Sequence, residues 1–300
     1  MENKDVNFVT VDPEKRRKAR KAVSSMSLSD NAMFINAMKD KTLFEHVLRQ
    51  IIGKEMEVIG EIESISTEFS DYLTGGRGVR LDAIAKDSNG NMYHIEMENN
   101  VENATALRGR YYAASIDRKM LNSGDDYSRL KHSISIFLVD GDPFGRGQTI
   151  YKFERKDQHN VPFNDHCYLY YVDINGNCDD ENLQRLLNSF KESNTEKIPD
   201  AIVRNVVKYC KGDEDMEISI YDTKVKLEKE REIALLKEGH KQGLEEGLQK
   251  GLEEGLEKGK QETIATMVIK AYKRGSTVEE IVDFLEIPAE QVLKIIEIEL

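Results

Sequence analysis

From residue 29 the apolar positions Phe34, Met38, Phe44, Val47, Leu48, Ile51 and Ile52 recur at mixed helical spacing as far as Gly53, and either Ser29 or Asp30 can cap the first turn. The pattern predicts two short helices broken near Asp40. Residues 58–65 turn β-prone and partly alternating, and Gly75, Gly76 and Gly78 then mark a flexible loop. Residues 79–98, VRLDAIAKDSNGNMYHIEME, divide into two alternating runs around Asp87, Ser88, Asn89 and Gly90. This spacing predicts a β-hairpin whose loop is Ser88 to Gly90, with Gly90 supplying the left-handed residue of a G1 bulge. Counting back from the loop sets Asp87 against Asn91 and Asp82 against Glu96. Alternation puts Glu96, Glu98 and His94 on one face, as it does Arg80, Asp82 and Lys86, and gathers Leu81, Ala83, Ala85, Tyr93, Ile95 and Met97 on an apolar face suited to a core.

Downstream, residues 104–121 read as a helix carrying Arg108, Arg110, Tyr111, Tyr112, Arg118 and Lys119. Residues 133–139 form a buried strand by their β-branched and aromatic content, followed by a turn at Gly141, Asp142 and Pro143. Residues 168–172 give another strand and 179–189 another helix. This order is that of an α/β or α+β domain of ordinary single-domain size, assigned to residues 24–222.

A different pattern occupies residues 223–261, a charged helix with glycine every fourth residue at 239, 243, 247, 251, 255 and 259 and with Leu244, Leu248, Leu252 and Leu256 on a neighbouring stripe. Each interior glycine costs a helix ~1 kcal/mol against alanine. Close packing on another helix would offset that cost, so the stripe predicts a homo-oligomer through residues 226–300; a frayed linker is the alternative. Residues 262–300 form an all-α end of three short helices, with Thr277 and Glu280 at capping-box spacing. Its last helix opposes Lys294 to Glu290, Glu297 and Glu299, which suits a protein contact better than a DNA groove.

Composition narrows the function classes. The 300 residues carry a formal net charge of −12, which disfavours general adhesion to polyanions. The charge is uneven: residues 101–160 are net +2 with ten basic side chains, and residues 1–23 hold seven basic and four acidic side chains, read as a mobile basic arm. DNA contact is therefore expected to be weak, local and dependent on metal. Three cysteines without ligand spacing argue against a disulfide framework or structural zinc and suit a reducing cytoplasm, and no apolar run is long enough to predict a membrane span.

The chemistry-bearing cluster is Asp82, Glu96 and Glu98. Three carboxylates on one hairpin face raise one another's proton affinity or require a cation, and hard oxygen ligands suit Mg²⁺. Lys86 shares the face and can assist or remain solvated. Arg108 and Arg110 can meet phosphate or pair with the acids, and Glu45 can approach from the first helices. From spacing alone, a solvated face of a surface hairpin is the favoured reading of the carboxylates.

Asp82, a turn, then Glu96 and Glu98 two apart on the next strand resembles the PD-(D/E)xK nuclease core. The wider set, Asp30, Phe34, Met38, Leu43, Phe44 and Glu45, then Arg80, Asp82, Asp87 and Gly90, then Ile95 to Glu98, Arg108, Arg110, Tyr111 and Tyr112, then Phe137, Asp142, Phe144 and Gly145, resembles the Rpn family of recombination-promoting nucleases and transposases over roughly residues 24–190. The resemblance implies a restriction-endonuclease-like core with a mixed central sheet flanked by helices and an all-α C-terminal extension. It also implies a Mg²⁺- or Mn²⁺-dependent DNA endonuclease in which Asp82 and Glu96 bind metal and Asp82, Glu96 and Glu98 form the catalytic set. Glu98 stands where the family carries Gln or Lys, and a lysine there would bring positive charge to the attacking water. Glutamate can be a third metal ligand, a general base, or the mark of a catalytically weakened nuclease-fold protein that binds DNA or protein as a regulatory or assembly module.

Overall fold

The computed structural model describes residues 12–53, 60–71 and 79–299. The predicted glycine loop at 75–78 lies outside them. Contacts divide the chain into a unit ending at Leu227 and a second beginning at Glu228.

The first unit is built on a six-stranded mixed sheet in the order β1-β2-β3-β4-β6-β5, from Ile62–Asp71, Val79–Asp87, Met92–Glu98, Ser133–Val139, Cys167–Asp173 and the edge strand Ile150–Phe153 (β5). β1, β2 and β3 are antiparallel, β3, β4 and β6 are parallel, and β5 returns antiparallel on β6. The hairpin register is the one counted from the loop: Ala85 pairs with Tyr93 and Ala83 with Ile95, and Gly90 takes φ +84°. Asp87 locks the turn. Its Oδ1 accepts from the Asn89 and Asn91 amides, while Oδ2 accepts from the Gly60 amide, Asn91 Nδ2 and the Tyr93 hydroxyl.

Helices α2 (Asn31–Ala37) and α3 (Lys41–Ile52) break at Asp40, which caps α3 by accepting from the Leu43 amide. Together with α5 (Glu181–Ser189) and α6 (Ala201–Gly212) they cover the sheet face that carries Ala83, Ala85, Tyr93, Ile95 and Met97. Leu81 departs from the expected alternation and packs with Ile84 and Ile116 on the other face, beyond the point where the β2–β3 ladder ends at Ala83 and Ile95. That second face is covered by α4 (Ala106–Met120).

The mobile basic arm expected over residues 1–23 is corrected where it is described. Pro13–Ser24 is a helix, α1, capped by Asp12, with Ala19 and Val23 buried. Its basic residues answer acids at the start of α7 (Glu214–Lys273): Lys15 meets Asp222, Arg16 meets Glu214 and Arg20 meets the buried Glu217.

In the second unit α7 continues through the glycine repeat. A small core then gathers Val268 on its last turns, Ile281 on α8 (Val278–Leu285) and Val292 on α9 (Ala289–Glu299). The Thr277–Glu280 capping box is present, with reciprocal bonds of 2.9 and 3.3 Å. No helix among the described residues is long and apolar enough to cross a membrane.

Candidate active site at the fork of the hairpin

Two carboxylates replace the ladder where β2 and β3 part. The Asp82 amide donates to Glu96 Oε2 at 3.2 Å, and the Met97 amide donates to Asp82 Oδ2 at 3.2 Å. Both acids are nearly closed to solvent, Asp82 at 3% and Glu96 at 4% exposure. Burial, reinforced by the Glu96 charge, pushes Asp82 up to about 8. Burial likewise pushes Glu96 up to about 7, although Arg108 and the Asp82 amide pull the other way. His94 Nε2 lies 3.0 Å from Glu96 Oε2, and its full burial drives the imidazole down to about 3, so it sits there neutral. Rings of Tyr112 and Phe137 flank it.

The positive charge bonded to Glu96 and Glu98 comes from α4. β3 and β4 are parallel and α4 crosses between them, so its first turn begins at the carboxyl end of β3, the end of a parallel sheet where ligand crevices form. Thr105 caps that turn by accepting from the Arg108 amide. Arg108 Nη2 donates to Glu96 Oε1 at 2.6 Å and Nη1 donates to Glu98 Oε2. The other Glu98 oxygen, Oε1, accepts from the Asn100 amide at 2.9 Å. The guanidinium carbon lies 5.0 Å from the centre of the Tyr112 ring. Two features seat the helix this low: the Tyr171 hydroxyl donates to the Thr105 carbonyl oxygen at 2.9 Å, and Gly109 leaves room for it.

Of the residues singled out in the sequence, Asp82, Glu96, Glu98 and Arg108 are brought together. Arg110 is exposed one half-turn along and lines, with Glu102, Thr105, Leu107, Arg108 and Tyr111, a groove of about 650 Å³ that reaches the acids through Arg108. Lys86 is exposed near the turn, four residues from Asp82 and thus roughly 13 Å along the strand. Glu45 is on α3, which packs against the opposite face of the sheet, so the structure does not bring it to the carboxylates. Gly109, Tyr171 and Asn100 were missed by sequence reasoning. His94 carried a signal in its shared face with Glu96 but reads there as structural.

A divalent cation suits the donor chemistry, since two buried acids with raised proton affinity are relieved by one. Among the described residues no group of three or more His, Cys, Asp or Glu side chains is arranged to hold a metal ion. The carboxylates that would hold one are those of Asp82 and Glu96, with Glu98 bonded to Arg108 and the Asn100 amide.

The family model described as PD-(D/E)XK nuclease family transposase matches residues 31–182, which include every residue of this site. No curated protein and no solved structure matches the chain significantly.

Proposed function

The chain belongs to the PD-(D/E)XK nuclease family transposases, and on that premise we propose that it is a metal-dependent DNA endonuclease with Asp82 and Glu96 as its metal-binding acids and Mg²⁺ or Mn²⁺ as the cation. One observation carries the reading: Asp82 and Glu96 are buried side by side at the fork of β2 and β3, joined by the Asp82 amide and faced by Arg108. A solvated hairpin face would leave both acids open to water. When bound, the cation neutralises charge on the scissile phosphate and acidifies the attacking water. Glu96 is held by His94 and the Asp82 amide, and Arg108 and Arg110 stand where a phosphate in the groove would meet them. Hydrolysis joins the water oxygen to phosphorus and breaks one phosphorus–oxygen ester bond, leaving a phosphomonoester and a free hydroxyl.

A second reading, a nuclease-fold protein that binds or assembles without cutting, is favoured by Glu98 in place of the motif's lysine. Plasmid nicking across Mg²⁺ and Mn²⁺ with Asp82→Ala as the control separates them. Cleavage lost in the variant supports the endonuclease, cleavage undiminished in the variant sinks the site, and a wild type that neither cuts nor binds Mn²⁺ leaves the second reading. Self-association through residues 226–300 accompanies the proposal, supported by the exposed stripe of Leu244, Leu248, Leu252 and Leu256. The three free cysteines suit work in the cytoplasm.

A further inference from the structure

The PD-(D/E)xK pattern asks for a lysine two residues after its glutamate, and this chain has Glu98 there. Both Glu98 oxygens are already engaged, Oε2 by Arg108 and Oε1 by the Asn100 amide. Its side chain is 11% exposed, and the larger of its two engagements is the charged one, with Arg108. What it does hold is a cation. Arg108 spans Glu96 and Glu98 with two different nitrogens, its guanidinium lies over Tyr112, and its helix is pinned by Thr105 and Tyr171. A guanidinium has five N–H donors in a fixed fork, so it can stay bound to both acids and still present N–H groups to a phosphate in the adjoining groove.

We propose that Glu98 is a positioning residue that holds Arg108 against Glu96, so that a cation delivered by helix α4 serves the site in place of the strand lysine. This rests on the nuclease reading above. It differs from Glu98 acting as a metal ligand or as a general base, because in those roles its removal would be felt with or without Arg108.

The test uses the full chain in two measurements. In single-turnover cleavage of supercoiled plasmid with Mn²⁺, Glu98→Gln should lose roughly ten- to hundredfold in rate, and Arg108→Ala more. In the Arg108→Ala background the further loss from Glu98→Gln should shrink to about threefold or less, because the group it positions is gone. Arg108→Gln replaces Arg108→Ala if the alanine variant melts early. In calorimetric titration with Ca²⁺ and no DNA, adding Glu98→Gln to the Arg108→Ala background should change affinity by about threefold or less, whereas a direct ligand is still felt there in full. A Glu98 effect on either measurement that persists undiminished without Arg108 overturns the positioning role. The nuclease reading fails separately, through Asp82→Ala that cuts like the parent or a parent that does not cut.

Discussion

Gly109 lies so close to the Tyr171 hydroxyl that a β-carbon on the helix would overlap the oxygen. Tyr171 cannot step aside easily, being buried, stacked on Phe137 and bonded to the Thr105 carbonyl. In a free helix Gly→Ala gains ~1 kcal/mol, and overpacking a closed contact costs about 1–3 kcal/mol, so the overlap wins. Gly109→Ala is therefore expected to lower the melting temperature and the cleavage rate together, since lifting the first turn of α4 withdraws Arg108. Removing the oxygen with Tyr171→Phe should make Gly109→Ala tolerable. If Gly109→Ala is as costly with Phe at 171 as with Tyr, the contact does not seat the helix.

The raised proton affinities of Asp82 and Glu96 give stability a direction with pH. Below about pH 3 both acids are protonated in the folded and unfolded chain, and pH has no leverage through them. Between there and the folded values, about 8 for Asp82 and about 7 for Glu96, the unfolded chain has released protons that the folded chain retains. The folded state therefore loses ground as pH rises, by up to ~1.4 kcal/mol per pH unit for each proton of difference. In chelator-containing buffer the melting temperature should fall from pH 5.5 to 8.5, and Asp82→Asn should flatten that slope. A flat wild-type profile would mean that both acids ionise freely in the fold.

Asp87 is a structural acid with five donors converging on its two oxygens, from Gly60, Asn89, Asn91 and Tyr93. Truncation to alanine leaves buried donors unpaired, each at about 1–3 kcal/mol, so Asp87→Ala should destabilise by roughly 3 kcal/mol or more. Urea denaturation measures it. Asp87→Asn keeps one acceptor oxygen and should recover part of the loss; equal stability of Asp87→Ala and wild type would remove the residue from the hairpin's support.

How much of this was legible follows from what each feature depends on. The hairpin register was readable because it is local: period-two alternation and one glycine with positive φ fix it within twenty residues. Helix α6 had a readable signal in Val203, Val207 and Cys210 behind the Asp200 cap, which the reading of the 190–222 region passed over. Helix α1 was hidden by its own charge, because the acids that answer Lys15, Arg16 and Arg20 are about two hundred positions away. Strand β5 is a four-residue edge, short enough to vanish into loop composition. Arg108's destination was not legible, since it depends on where α4 sits, and that is settled by Tyr171 across the sheet. Glu45 was assigned to the site for the same lack: sequence places it on a helix and does not say which face of the sheet the helix covers.

The glycine repeat of α7 supports a prediction in which two effects have opposite signs. A β-carbon added at Gly243, Gly247, Gly251 or Gly255 meets nothing within 4 Å, so within one chain alanine is sterically free at each. For a lone helix each substitution then stabilises by ~1 kcal/mol, and the fourfold alanine variant should show more helix and melt later when dilute. If the stripe packs on a second copy, the same methyl groups hold the two backbones apart. Leu248 and Leu252, 74% and 68% exposed in the single chain, would lose the partner surface that explains their placement. The fourfold variant is thus expected to gain helicity and lose association, read by circular dichroism and by light scattering over a concentration series. Association that survives the alanines would move the interface off the glycine stripe, and a wild type that stays monomeric at every concentration would leave the leucines as surface residues of a solvated helix.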